Sequence, residues 1–164
     1  MGIKMDYSDG QTPLDEDEKE ELLIPTITTR SELDEFEQHN IEKAIIWTMK
    51  RQFKKDDILT ENFVKQVHHK MFVEVWAWAG EFRATNKNLG VDKWEISTAL
   101  RKLLDDIHFW IDHKTFDGDE IALRCKHRML SIHCFANGNG RHSRLIADII
   151  VKDVFSLPVF SWGE

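Results

Sequence analysis

The stretch His133-Cys-Phe-Ala-Asn-Gly-Asn-Gly-Arg-His-Ser-Arg144 decides how the rest of the chain is interpreted. Its centre, residues 137–140, holds only asparagine and glycine, which adopt positive φ angles more readily than other residues. Such a loop can turn consecutive backbone N–H groups towards one point. A helical pattern of apolar residues begins directly after it, so the N–H groups and dipole of that helix favour the same anion. We therefore predict an anion-binding loop that opens a helix.

Charged side chains flank this loop on both sides. Arg141 and Arg144 share one face of the following helix, and two guanidiniums beside an anion nest favour a polyphosphate over a single carboxylate. His133 ends the preceding helical pattern, where a neutral imidazole can take a proton from an incoming hydroxyl. Each feature alone is more often a cap or a solvated pair, but their combination predicts a phosphate site.

The surrounding sequence has the period of helices. All three prolines lie towards the ends, so residues 26–157 contain none, which favours an all-α fold. Suitable N-caps are Thr29 or Ser31, Thr60, Ser97 and Asp119, and Gly80 is the expected stop of the second helix. The helical period is lost over residues 81–96, which predicts a loop or a short β-hairpin.

Composition limits the class of protein. The chain has 164 residues with 41% hydrophobic and 31% charged residues, as in one ordinary globular domain. Residues 1–24 carry eight acids and two lysines, so they hold −6 of the net charge of −7. We predict an acidic, partly mobile arm over residues 1–25 and one domain over residues 26–164. The near-neutral remainder argues against nucleic-acid binding.

Location and metal content are predicted from absences in the sequence. No apolar run approaches the ~20 residues of a membrane helix, and no signal peptide is visible. The two cysteines, Cys125 and Cys134, cannot form a disulfide framework, so we expect a cytoplasmic protein. The eight histidines lack zinc-site spacing, and no standard P-loop motif occurs.

The stretch 133–144 resembles the Fic-domain signature, H-x-F-x-[D/E]-G-N-G-R-x-x-R, and differs from its specified positions only at residue 137. Together with residues 28–41 and 76–83, it is similar to the bacterial subgroup called mobile mystery protein B. The resemblance implies an all-α, Fic-type helical bundle with a short β-hairpin flap. It also implies transfer of AMP from ATP to a Ser, Thr or Tyr hydroxyl of a target protein.

The resemblance also implies a role for each matching position. His133 would deprotonate the target hydroxyl, and Phe135 would anchor the loop in the core. Gly138, Asn139 and Gly140 would bind phosphate, and Arg141 and Arg144 would hold the β- and γ-phosphates. The flap would align the target segment by backbone pairing; its residues would be Asn86, Lys87, Asn88, Leu89, Gly90, Val91, Asp92, Lys93 and Trp94.

The sequence departs from the family pattern at three places, the first two of which concern the metal and the C-terminal end. Asn137 stands where an acid normally ligates Mg²⁺ between the phosphates, and its amide oxygen brings no charge, so we expect weak Mg²⁺ binding. Family members commonly continue with helices beyond the position of Glu164. The alternatives are that the chain lacks these C-terminal helices or that its adenine site is open.

Many Fic proteins carry an inhibitory motif, [S/T]-x-x-x-E-[G/N]. Ser31 and Glu35 match it, but Phe36 replaces Gly or Asn. Glu37 instead lies in an i,i+4 row with Leu33 on the apolar stripe, where a carboxylate needs a partner such as Arg144. We therefore favour Glu37 over Glu35 as inhibitor, the alternative being a rim glutamate paired with a lysine.

Three alternatives to AMP transfer remain at this point. A Doc-like phosphotransferase would carry lysine at the position of Gly140, so AMP transfer is favoured. A nucleotide-binding regulator with little turnover, or a toxin–antitoxin module, is compatible with Asn137. The expected partners are a nucleotide and a protein that bears a hydroxyl, with no membrane and no nucleic acid, and a homo-oligomer is left open.

Overall fold

The computed structural model describes residues 13–162 and confirms the all-α fold. The described residues form seven α-helices: α1 (Glu16–Glu20), α2 (Arg30–Met49), α3 (Lys55–Ile58), α4 (Glu61–Phe72), α5 (Ile96–Asp112), α6 (Gly118–Ile132) and α7 (Asn139–Ile149). A π-helical turn, Ile150–Val154, extends α7. Within residues 13–162, no helix is both long and apolar enough to cross a membrane.

The bundle is built around α4, α6 and α7. Helix α4 packs on α2 and α7, and α6 packs between α5 and α7. The side chains at these contacts are almost wholly buried and mostly apolar, and they include Val67, Met71, Phe72, Ile107, Ala122, Cys125 and Ile146. This core places the C-terminal end of α6 beside the N-terminal end of α7.

The predicted helix starts agree with the structure at two positions. Thr29 Oγ1 accepts a hydrogen bond from the N–H of Glu32 at 3.2 Å, and Thr60 Oγ1 accepts one from Phe63 at 3.1 Å. Helix α5 begins at Ile96, so Ser97 lies inside it, and α6 begins at Gly118 rather than after Asp119.

Helix α4 ends at Phe72, well before the predicted stop at Gly80. Trp76 and Trp78 are both buried and stack with ring centroids 4.9 Å apart. Residues two apart point away from each other on a helix, so both indoles can face the core only if the helix has ended. Residues 73–80 therefore form turns.

The predicted β-hairpin flap is absent from the described residues. Residues 84–92 form turns and bends, followed by a 3₁₀-helix, Lys93–Glu95. Extended pairing in residues 13–162 is limited to two single bridges, Leu22–Trp76 and Phe82–Phe135. Side chains replace strand pairing here, because the Arg83 guanidinium donates to the carbonyls of Thr85 and Val91.

The described part of the acidic arm packs on the bundle. Leu14 is buried, and the carbonyl of Glu18 accepts a hydrogen bond from Trp78 Nε1 at 3.1 Å. The backbones of residues 21–23 and 75–77 exchange two hydrogen bonds of 3.0 and 2.9 Å. Residues 1–12 of the predicted arm lie outside the described residues.

Candidate functional site

The site is the junction between α6 and α7. Helix α6 ends at His133 in the left-handed conformation, with φ 57°, and α7 begins after Gly138, with φ 78°. The Asn139 side chain closes the intervening loop, because its amide nitrogen donates to the Phe135 carbonyl at 2.8 Å and its oxygen accepts from the Phe135 N–H at 3.0 Å. The N–H groups of the first turn of α7 have no acceptor within the helix and can bind an anion.

The two glycines of the loop have different surroundings. A Cβ on Gly138 would lie 2.4 Å from Phe72 Cζ, so a side chain at this position clashes with the core. A Cβ on Gly140 would meet no atom of residues 13–162 within 4 Å. The start of α7 therefore faces open space, as a phosphate-binding helix end requires.

His133 is enclosed beside this loop. Its side chain is buried, and its Nε2 atom has no hydrogen-bond partner among residues 13–162. Burial, together with the nearby cations Arg83 and Lys87, lowers the pKa of His133 to about 4. The imidazole is therefore neutral at physiological pH and can accept a proton.

Residues 84–92, which we call the covering loop, close over His133. A Cβ on Gly90 would lie 2.7 Å from His133 Cβ, and Val91 donates its N–H to the Ile132 carbonyl at 3.3 Å. The loop has a fixed shape, because Asn86 binds both Asp92 and the N–H of Lys93 through its side chain. The side chain of Lys87 is almost fully buried.

The remaining predicted flap residues point outward. Asn88 is exposed, Leu89 is 47% exposed and Trp94 is 82% exposed, while the Trp94 N–H donates to Asp92 at 2.9 Å. Residues 86–94 therefore carry two exposed apolar side chains, Leu89 in the covering loop and Trp94 in the 3₁₀-helix that follows it.

Arg83 was not predicted as a site residue. It is buried, and its guanidinium donates to the carbonyls of Ile132 and His133 at the end of α6 as well as to the covering loop. A cation at a helix C-terminus satisfies carbonyls that lack helical partners. The sequence signal for this role is weak, since Arg83 lies in a stretch without helical period.

Glu37 contacts Arg141 and not Arg144, which corrects the predicted pairing. Glu37 is 3% exposed; its carboxylate binds Arg141 Nη1 at 3.2 Å and accepts a hydrogen bond from Trp76 Nε1 at 2.8 Å. Arg144 is exposed and makes no ion pair within residues 13–162. Glu37 of α2 thus reaches α7 in its first turn, at residue 141. Glu35 is exposed.

The loop does not fit a Mg²⁺ ion as it is arranged. The Asn137 side-chain oxygen lies 3.5 Å from Arg141 Nη2, so a cation already faces the amide that would have to bind the metal. No group of three His, Cys, Asp or Glu side chains in the described part of the chain could hold a metal ion. Mg²⁺ prefers carboxylate and phosphate oxygens, and residues 133–144 contain no carboxylate.

The geometry defines a class of protein: a helical domain with an open, glycine-rich helix N-terminus beside a neutral histidine. The sequence profile of the Fic/DOC family matches residues 58–151, which is more than half of the chain. The chain therefore belongs to the Fic/DOC family. A search of curated proteins returned no match.

Solved structures of Fic-domain proteins share this fold. A Fic domain containing signaling protein from Bacteroides thetaiotaomicron is 20% identical with a TM-score of 0.62; 80% of this chain aligns, over 51% of that protein. BepC from Bartonella tribocorum, with bound AMPPNP, is 17% identical with a TM-score of 0.65; 88% of this chain aligns, over 75% of that protein. The N-terminal Fic domain of an effector from Bartonella quintana, with bound ADP, is 16% identical with a TM-score of 0.63; 77% of this chain aligns, over 69% of that domain. The chain thus spans about half the length of the Bacteroides protein.

Proposed function

We propose that the chain is a protein adenylyltransferase that moves AMP from ATP to a Ser, Thr or Tyr hydroxyl of a target protein. The observation that carries this proposal is the neutral His133 next to the open N-terminus of α7 at Gly140. The bound AMPPNP of BepC and the bound ADP of the Bartonella quintana domain support nucleotide binding by this chain.

The proposed reaction is a displacement at the α-phosphorus. His133 accepts the hydroxyl proton while the hydroxyl oxygen bonds to the α-phosphorus, and the bond to the β-phosphate bridging oxygen breaks. Diphosphate leaves with the electron pair of that bond. The N–H groups of Gly138, Asn139 and Gly140, with Arg141 and Arg144, stabilise the negative charge.

The described conformation is the inactive one in this proposal. Arg141 is bound to Glu37 and cannot reach a phosphate without leaving that carboxylate. Glu37 is then the inhibitory residue, and Phe36 at the adjacent position is exposed. The outer face of residues 86–94 would dock the target, within a domain of residues 26–164 in the cytoplasm.

A second candidate is a nucleotide-binding regulator with little turnover. It is favoured by Asn137, which brings no carboxylate to the loop and faces Arg141 instead. Such a protein would bind ATP without modifying a target.

Labelled ATP separates these functions. Glu37→Gln, which frees Arg141, and the double variant Glu37→Gln/His133→Ala are incubated with lysate and with ATP labelled at the α- or the γ-phosphate. We expect α-label on protein with Glu37→Gln and a loss of about 10²–10⁴-fold with the double variant, while both bind ATP. Label from the γ-phosphate alone would indicate a Doc-like phosphotransferase, and ATP binding without label would indicate the regulator.

A further inference from the structure

His68, on α4, joins two segments of the site through its ring nitrogens. The side chain is fully buried and stacks on Phe135, with ring centroids 3.8 Å apart and planes 10° apart. Nδ1 accepts a hydrogen bond from the N–H of Gly80 at 2.9 Å. Since a backbone N–H can only donate, the ring proton lies on Nε2, which donates to the Asn137 carbonyl at 3.0 Å.

The ring keeps this single arrangement. Burial lowers the pKa of His68 well below its ordinary value, with further contributions from His142 and Arg141. A neutral imidazole whose two nitrogens are both satisfied has no alternative tautomer that preserves both bonds. The Asn137 carbonyl is therefore held towards α4.

Fixing this carbonyl also fixes the next N–H group. The carbonyl of Asn137 and the N–H of Gly138 belong to one planar trans peptide and point in opposite directions. We propose that His68 is a positioning residue, which turns the Asn137–Gly138 peptide so that its N–H faces the phosphate position. This inference rests on the proposed nucleotide site.

A pair of variants tests the two ring nitrogens separately. His68→Gln places an amide N–H near the position of Nε2, and His68→Asn places an amide oxygen near the position of Nδ1. Both lose the stacking on Phe135, so each is the matched control for the other. We expect the Gln variant to bind ATP within about threefold of the parent and the Asn variant about tenfold more weakly, as for one lost hydrogen bond.

Hydrogen exchange at the Gly138 amide provides a readout that needs no nucleotide. We expect parental exchange in His68→Gln and faster exchange in His68→Asn, with similar falls in melting temperature. Equal ATP binding and equal Gly138 exchange in the two variants would overturn the role of His68. If the parent binds no ATP, the proposed function fails, and His68 is then judged on Gly138 exchange alone.

A separate set of contacts links the N-terminal segment to the covering loop. We call residues 13–23 the strap. The side chain of Lys87, in the covering loop, is 3% exposed and pairs with Glu18, with Asp15 at 3.4 Å and with the Pro13 carbonyl at 3.4 Å. Thr85 donates its hydroxyl to Asp15 at 2.6 Å. Asp15 and Glu18, at the two ends of one acidic turn in the strap, thus both bind the covering loop.

The strap acts on the histidine through the covering loop. Gly90 lies against His133, and the Nε2 atom of that histidine is shielded from solvent. We infer that the strap locks the covering loop over His133 and must release it before a hydroxyl can reach the imidazole. This contact shares no residue with the Glu37–Arg141 pair.

Accessibility of His133 tests the strap without any substrate. Lys87→Met keeps the side-chain length and removes its charge; Lys55→Met breaks the Lys55–Asp112 pair of 3.0 Å between α3 and α5 and is the matched control. We expect hydrogen exchange in residues 84–92 and modification of His133 by diethylpyrocarbonate to accelerate about tenfold or more in Lys87→Met only. Glu18→Gln, changed from the strap side, is expected to do the same.

Parental rates in a folded Lys87→Met protein and in Glu18→Gln would overturn the strap. Equal acceleration in Lys55→Met would also overturn it, since the effect would then be general destabilisation. Neither readout uses a nucleotide, so the proposed transfer reaction is judged separately.

Discussion

Glu37→Gln is expected to free Arg141 for a nucleotide while it preserves the fold. Gln has the shape of Glu and keeps an oxygen that can accept the hydrogen bond from Trp76 Nε1, now 2.8 Å long. It removes the negative charge that holds Arg141 at 3.2 Å. A glycine at this position would also free Arg141, but it would leave a cavity and weaken α2.

The size of the effect follows from the pair that must break. A hydrogen bond to a charged group contributes about 1.5–3 kcal/mol, and about 1.4 kcal/mol corresponds to a tenfold change in affinity. Glu37 is 3% exposed, so water weakens the Glu37–Arg141 pair little while the pair is formed. We therefore expect ATP affinity to rise about 10–100-fold and AMP transfer to rise with it.

Calorimetric titration with ATP and α-label transfer measure the two quantities, and urea unfolding reports stability. The control is Glu35→Gln, because Glu35 is exposed on α2 and should have no effect. A folded Glu37→Gln protein with parental ATP affinity would refute the inhibitory role. Activation of Glu35→Gln instead would show that Glu35, the residue at the family-motif position, is the inhibitor.

Asn137→Asp is expected to make ATP binding dependent on Mg²⁺, because it restores a carboxylate at the loop; superimposed Mg²⁺ titrations of variant and parent would contradict this. Gly138→Ala should lower the free energy of unfolding by about 2–4 kcal/mol, since its Cβ would lie 2.4 Å from Phe72 and residue 138 has a positive φ. Gly140→Ala is the control: its Cβ would meet no atom of residues 13–162 within 4 Å, so the free energy of unfolding should change by less than about 1 kcal/mol. Acid should destabilise the fold through His142. Burial lowers the pKa of this histidine to about 4 in the folded protein, whereas in the unfolded chain it is about 6.5. As pH falls below about 6.5, the unfolded chain therefore binds a proton that the folded protein does not. Stability present above pH 6.5 is lost towards pH 4, by about 2 kcal/mol at pH 5 for this residue, and urea unfolding of His142→Gln should show a smaller loss than the parent.

The helices and the loop could be predicted because their signals are local. Thr29 and Thr60 cap helices through contacts within one turn, and the loop glycines lie next to the helix they open. The burial of Glu37 also follows from its position on the apolar stripe of α2. These features depend on residues close together in sequence, so periodicity and residue type carry them.

The partner of Glu37 could not be predicted in the same way. Both arginines lie within one turn of α7, and the choice between Arg141 and Arg144 depends on how α7 is rotated against α2. That rotation is set by packing across the bundle. The pairing of Lys87 with Glu18 likewise joins the covering loop to helix α1, and no local sequence pattern predicts that contact.

The segment from Trp76 to Arg83 explains why these distant contacts form together. Trp76 donates to Glu37, which holds Arg141; Gly80 donates to His68, which holds the loop carbonyl; and Arg83 binds the end of α6 at His133. One short segment thus contacts the inhibitory acid, the anion loop and the proposed base. Trp76, Gly80 and Arg83 contact three different neighbours that lie in different directions. The segment therefore has neither the apolar period of a helix nor that of a strand, and a regular element would not direct all three residues to their partners. A shift of this segment would therefore alter phosphate binding and the access to His133 together.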